Sequence, residues 1–241
     1  MRMGAISDKG RVRSNNEDSF FSYRNENLIG GMVADGMGGH NAGEVASKMT
    51  TMIVKDHIIA KFNPDMAYAE VGEMIRRAFI DSNSEVYEYA KHHPENSGMG
   101  TTASMAFVYR NKLIAIHVGD SRVYAISSDS IRQITTDHSL VQELLARGKI
   151  SIDDAKRYPN KNVITRAIGT EPSIKVDVII EDYNGETVCV CSDGLTNLVS
   201  DEQIMNIINE NEDLQTGVEK LVELANKKGG IDNITCVAFD V

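Results

Sequence analysis

Between residues 100 and 129 three apolar runs of strand length follow one another with almost nothing between them. They are TTASMAFVYR (101–110), KLIAIHVGD (112–120) and SRVYAISSD (121–129). A parallel connection needs a crossover of about a dozen residues, and there is no room for one here. The joints Asn111-Lys112 and Asp120-Ser121 are read as tight hairpin turns, so this part of the sheet is expected to be antiparallel. Strands are also expected at GAISD (4–8), DSFFSY (18–23), LIGGMVAD (28–35), IKVDVII (174–180), ETVCVCSD (186–193) and NITCVAFDV (233–241).

Helices interrupt these strands in two pairs. The first is expected over about 42–60, with Val45, Met49, Met52 and Ile53 as its apolar stripe. The second begins at Pro64-Asp65 with Asp65 as N-cap, and buries Ala67, Val71, Met74, Ile75, Ala78, Ser82 and Val86. The later pair spans about 201–209 and 213–227. This is not the strict alternation of a parallel α/β protein. It reads as α+β, with antiparallel sheets and helices segregated onto their faces. Residues 139–170 carry two short helical patterns and the polar run NKN, and are expected to form a flap insertion. No Pro/Gly/Ser-rich linker divides the chain, so residues 1–241 are read as one domain.

Composition narrows the class. Lys plus Arg number 25 against 35 Asp plus Glu, a formal charge of −10, which argues against nucleic acid or an anionic membrane as partner. No apolar stretch approaches the roughly 18 residues of a membrane span. The N-terminus has no apolar leader core, and Cys189, Cys191 and Cys236 are too few for a disulfide framework. A cytoplasmic monomer with buried thiols is expected.

The chemistry lies in a recurring pattern. Apolar strands run into aspartate at MVADG (32–36), HVGD (117–120) and CVCSDG (189–194), while NNEDS (15–19) and GGIDN (229–233) open two others. One Asp-Gly pair is an ordinary turn signal. Five aspartates at strand ends would repel one another if they met without a cation, and an all-oxygen set suits Mg²⁺ or Mn²⁺. Glycine beside the acid lets backbone carbonyls approach such an ion. GMGGHNAG (36–43) precedes a helix but lacks the ending of a nucleotide loop. Arg13 offers a planar fork for a phosphoryl group. His138, His117, His57, His92 and His93 are read as structural or surface residues.

Taken in order, RSNNEDS (13–19), VADGMGGHNAGEVAS (33–47), GTT (100–102), VGDSRVY (118–124), TTDHS (135–139), ITRAIGT (164–170), VCSDGL (190–195) and GGIDNIT (229–235) resemble the bacterial branch of the protein phosphatase 2C family, the metal-dependent Ser/Thr phosphatases. The resemblance implies two antiparallel sheets packed face to face between helical layers. It implies that Asp35 bridges two ions, that Asp193 and Asp232 bind one of them with Asp18 close by, and that the Gly36 carbonyl binds the other. Asp120 would hold a third, weaker ion with Asp193. Arg13 would grip the substrate phosphate and Asn233 would support the Asp232 loop. Animal members place a histidine two residues after the bridging aspartate. Met37 stands there in this chain, so the proton donor is either His40 or water.

The reaction so implied is hydrolysis of phosphoserine and phosphothreonine on proteins. A hydroxide held between the ions attacks phosphorus in line, and the alkoxide leaves opposite. The implied partners are phosphorylated proteins, substrates of a cognate bacterial Ser/Thr kinase. Two other readings compete. A non-catalytic phosphopeptide-binding regulator has no need of five costly aspartates. A partner-switching phosphatase of the anti-anti-sigma type generally lacks the phosphate-gripping arginine, which Arg13 supplies here.

Overall fold

The computed structural model describes residues 1–39, 42–158 and 163–241. The chain opens with β1 (Arg2–Asp8), β2 (Asp18–Arg24) and β3 (Leu28–Met37), followed by the long helices α1 (Ala42–Lys61) and α2 (Tyr68–His92). Next come β4 (Gly100–Thr101), β5 (Ala103–Tyr109), β6 (Lys112–Val118), β7 (Arg122–Ile126) and β8 (Ile131–Gln133). Two short helices, α3 (Leu140–Ala146) and α4 (Ile152–Lys156), precede β9 (Asp177–Asp182) and β10 (Thr187–Cys191). The chain closes with α5 (Asp193–Thr196), α6 (Asp201–Asn209), α7 (Leu214–Lys227) and β11 (Ile234–Asp240).

The strands among the described residues form two antiparallel sheets, in the orders β1-β11-β10-β7-β8 and β2-β3-β5-β6-β9, with β4 added on β3. Period-2 alternation explains the layering. In β10, Val188 and Val190 point between the sheets, where they meet Ile29, Val33, Ala106 and Ala115 from the other sheet. Cys189 and Cys191 point outward onto Ile204 of α6 and Leu214, Val218 and Leu221 of α7. On the opposite face, Met32, Phe107, Ile114 and Ile116 of the second sheet carry Val54, Ile58, Val71, Ile75 and Phe79 of α1 and α2. The result is a four-layer α-β-β-α arrangement, in which the central strands are buried on both faces.

Five expectations are corrected. Asp120-Ser121 is not a hairpin, because β6 belongs to one sheet and β7 to the other. The dipeptide reports a local bend and carries no information about which sheet the next strand joins. The β5–β6 turn falls one residue earlier than expected, at Arg110 and Asn111, which both have positive φ (48° and 60°). That is the left-handed pair a tight two-residue hairpin needs. The stripe expected on α1 is right only in part: Val45 and Met49 pack half-buried against the core, but Met52 is 64% exposed. The buried face is instead Gly43, Ala46, Ser47, Thr50, Thr51 and Val54. This contact selects for size: a Cβ on Gly36 would collide with the Gly43 carbonyl. Ser47 Oγ donates to the Glu17 carbonyl (2.6 Å), so α1 docks on the strand ends through small and hydroxylic residues.

The fourth correction is the start of α2. Its N-cap is Ala67, which is exposed and so outside the buried stripe expected to include it; its N–H donates to Glu70 Oε2 (2.7 Å), while Asp65 lies in the turn before it. The fifth is His57, expected at the surface; its side chain is only 9% exposed and lies 3.8 Å from Asp81. Strand β8 has no counterpart in the sequence reading, being too short to give a periodic signal, and the strand expected over 101–110 is divided at Thr102 into β4 and β5. Among the described residues no helix is long and apolar enough to cross a membrane.

Gly31 marks a close approach of the two sheets, since a Cβ there would strike Val237 Cγ1. Gly31→Val is expected to cost about 1–3 kcal/mol by overpacking, read as a melting temperature lower by several degrees in a calorimetric scan. An unchanged melting temperature would show that the sheets can part without cost.

Candidate active site

The acidic residues gather where both sheets end on the same rim. Asp18, the first residue of β2, lies directly opposite Asp35 of β3 in the antiparallel register. Like charges in that position destabilise a sheet. From the other sheet, β10 leads through Ser192 into Asp193 at the start of α5, and Asp232 immediately precedes Asn233 and β11. The crossover from β6 to β7 delivers Asp120. A cavity of about 270 Å³ is lined by Arg13, Glu17, Asp35, Gly36, Asp120, Asp193, Asp232 and Asn233.

Asp18 joins the two sheets. Its Oδ2 accepts from Thr235 Oγ1 (2.6 Å) and Ser192 Oγ (2.8 Å), both from the opposite sheet. Its Oδ1 is buried with no hydrogen-bond partner among the described residues. A buried carboxylate oxygen left without a donor is costly, and a hard cation is the partner its chemistry suits. Asp35 is held through its backbone: Thr102 Oγ1 accepts from its N–H (3.0 Å) and the Thr102 N–H donates to its carbonyl (2.9 Å).

Asn233 ties the rim together. Its Oδ1 accepts from the Glu17 N–H (2.8 Å), and its Nδ2 donates to the carbonyls of Lys9 and Asn15 (both 2.9 Å). The Asn233 N–H donates to Asp232 Oδ1 (2.9 Å). Arg13 is half-exposed and donates from Nη2 to Asp232 Oδ2 (2.8 Å), so it reaches the cavity from its outer edge. Asn197 Nδ2 donates to Asp193 Oδ2 (3.0 Å).

The electrostatics follow from burial and crowding. Burial pushes the Asp18 carboxyl up to about 7, helped by Asp193 and Asp232 and opposed by the two hydroxyls. Asp35 is raised well above the carboxylate range by burial and then by Asp18, Asp193, Asp120 and Asp232. Asp120 is pushed up to about 7 by burial and Asp193, and Asp193 is raised by burial and Asp232. These carboxylates resist sharing the site as anions, so a positive ion would relieve them all at once. Among the described residues no three of them already stand as ligands around one point. What the fold brings together is one cavity lined by Asp35, Asp120, Asp193 and Asp232, while Asp18 lines a neighbouring hollow; the all-oxygen donor set fits divalent Mg²⁺ or Mn²⁺.

Sequence reasoning does not single out Glu17. It lines the cavity, and burial raises its carboxyl. Its place beside Asp18 in NNEDS is the available signal, obscured because neighbours in a strand normally face opposite ways. His40 lies outside the described residues. His117 is fully buried between Ser104 Oγ (2.8 Å) and the Thr136 carbonyl (3.1 Å), away from the cavity. A second cavity of about 370 Å³ shares Asp120 and Asp193 with the first. Its other wall includes Val141, Gln142, Leu145, Ile152 and Ala155 of α3 and α4.

Fold and rim together define a class of enzyme built on two sandwiched sheets with an acidic edge. Residues 9–229 match the family model described as Protein phosphatase 2C. The chain is 37% identical over 238 residues to the serine/threonine phosphatase stp of Listeria welshimeri, covering 97% of this chain and 93% of that one. The crystal structure of serine/threonine phosphatase Stp1 from Staphylococcus aureus superposes with a TM-score of 0.92 at 34% identity, over 99% of this chain and 94% of that one. The catalytic domain of PstP in complex with two manganese ions superposes at 0.83 with 34% identity, over 99% and 97%. The chain belongs to the protein phosphatase 2C family.

Proton linkage gives a stability test. Burial pushes the Asp18 carboxyl up to about 7 in the folded chain, against 3.8 for an ordinary aspartate. Between those values the folded state binds more protons than the unfolded state, so stability falls as pH rises through that window. In a chelator, the melting temperature is expected to drop between about pH 5 and pH 7 through this linkage. Saturating Mn²⁺ is expected to raise it at pH 7 by about 5–10 °C. A chelated protein whose stability rises across that window would contradict the charge arrangement.

Proposed function

We propose that this chain hydrolyses phosphoserine and phosphothreonine on proteins with the help of divalent metal ions. The observation that carries this reading is the meeting of Asp18 and Asp35 from one sheet with Asp193 and Asp232 from the other, with one Asp18 oxygen left unpartnered among the described residues. The family and the phosphatase relatives support the reaction class, and the two manganese ions of the related PstP structure support the cofactor. Asp35, Asp193 and Asp232 would hold two Mn²⁺ or Mg²⁺ ions, with the Gly36 carbonyl and Asp18 beside them. Asp120 and Asp193 would hold a third, weaker one. Such ions supply Lewis acidity, lowering the pKa of water toward 7 and offsetting phosphoryl charge.

The protein's own groups orient the substrate. The Arg13 guanidinium, already on the outer edge of the cavity, would turn its remaining N–H groups to the phosphate while Asp232 steadies it. The hydroxyls of Ser192 and Thr235 hold the Asp18 carboxylate and the Asn233 N–H holds that of Asp232, which orients these two groups. His40 or water would protonate the leaving alkoxide. The buried cysteines take no part: Cys189 and Cys191 are pushed up well above the ordinary thiol range, the opposite of an activated nucleophile. Helices α3 and α4, which wall the adjoining cavity, would select the residues flanking the phosphorylated one.

The three apolar clusters support reading residues 1–241 as one catalytic domain. We read it as a cytoplasmic monomer acting on the phosphoproteins of a cognate bacterial Ser/Thr kinase. Hydrolysis of para-nitrophenyl phosphate with Mn²⁺, and its loss in a chelator, tests the core of this reading. Metal-independent turnover, or no turnover under any metal, would refute it. Asp35→Asn and Asp193→Asn are each expected to lower kcat about 100-fold or more. Arg13→Ala is expected to raise KM for a phosphopeptide about 10-fold, the worth of a charge-assisted hydrogen bond, with a smaller change in kcat. An unchanged KM would remove Arg13 from its role.

A further inference from the structure

His138 lines neither cavity, yet it is only 5% exposed and its backbone and ring polar groups are all engaged. Its backbone N–H donates to the Gly119 carbonyl (2.7 Å), and its Nδ1 accepts from the Gly119 N–H (3.1 Å). With Nδ1 an acceptor, Nε2 carries the proton and donates to Asp177 Oδ2 (3.1 Å). Arg166 Nη1 sits beside Nε2 (3.0 Å) and donates to Asp177 Oδ1 (3.0 Å), which holds the carboxylate in place as acceptor. The His138 carbonyl accepts from the Thr165 N–H (2.7 Å). One histidine therefore holds both backbone groups of Gly119, the strand start at Asp177 and the returning end of the 139–170 segment.

Gly119 is the residue before Asp120. It has φ +110°, and a Cβ there would lie 2.6 Å from Thr102 Cβ. Thr102 is the residue whose hydroxyl holds the Asp35 N–H, and Ser121 Oγ lies 2.8 Å from that hydroxyl. The turn carrying Asp120 is thus wedged between Thr102 on one side and His138 on the other. Immediately after His138, Ser139 caps α3 by accepting from the Gln142 N–H (3.2 Å), and the Leu140 N–H donates to the Val163 carbonyl (2.8 Å).

We propose that His138 is a positioning residue: it fixes Asp120 through Gly119 and joins that carboxylate mechanically to the base of the flap. The inference rests on the reading that Asp120 helps to hold a divalent ion. A histidine that merely fills space would affect stability alone. Side-chain geometry separates the two roles. In His138→Asn the amide oxygen falls near the Nδ1 position and can keep the Gly119 bond. In His138→Gln the amide falls near Nε2 and keeps the Asp177 bond instead.

The experiment is calorimetric titration of the wild type, His138→Asn, His138→Gln and Asp120→Asn with Mn²⁺ alone, together with amide hydrogen exchange at Gly119. His138→Gln is expected to weaken the weakest Mn²⁺ site about 10-fold, as loss of an outer support does, and to deprotect the Gly119 amide. His138→Asn is expected to preserve both, and Asp120→Asn to lose the site. If Asp120→Asn binds Mn²⁺ as the wild type does, the metal role of Asp120 falls and the inference with it. If Asp120→Asn changes while His138→Gln does not, the inference alone is overturned. Fast exchange of the Gly119 amide in the wild-type protein overturns it too, even if the glutamine variant fails to fold.

Discussion

The structure depends on holding several carboxylates together at a rim where they repel. Asp18 and Asp35 face each other across one ladder, and Asp193 and Asp232 arrive from the other sheet. Burial raises the carboxyls of Asp18 and Asp35 further. An arrangement this unfavourable persists because the rest of the fold over-determines it. Thr235 and Ser192 reach across the sheets to Asp18, Asn233 pins the Glu17 and Asp232 segments together, and Thr102 grips the Asp35 backbone through both its N–H and its carbonyl.

The layers behind the rim serve the same end. Valines of β10 meet the other sheet while its cysteines meet α6 and α7, so the strand that leads into Asp193 is buried on both faces. Helix α1 sits close against the β3 end through Gly43 and Ser47, leaving bulky Met52 in solvent. Rigidity at these strand ends is what lets side chains from distant segments line one small cavity. Among the described residues, helices α3 and α4 contribute no fully buried side chain to the core; they wall the adjoining cavity, which shares Asp120 and Asp193 with the acidic one.

Much of this is legible in the chain alone. The apolar run in ETVCVCSD marks a buried strand and the short joint after Tyr109 an antiparallel pair, because strand length and tight turns are local properties. The aspartates stand out as a repeated strand-to-acid step. Other features are hidden. The α1 stripe misleads because its packing rewards small size, which hydrophobicity does not measure. Glu17 escapes notice because its reach into the cavity depends on the bend at Ser14 and Asn15 before β2, which alternation does not show.

Residue type and spacing along the chain already specify the α+β class, the buried strands and the identity of the acidic groups. Long-range packing is what parts β6 and β7 into different sheets, clasps Asp18 with hydroxyls from the far sheet and sets His138 against the turn before Asp120. These depend on contacts between segments distant in sequence. They are set by how two twisted sheets meet at their ends, and no local pattern records that meeting.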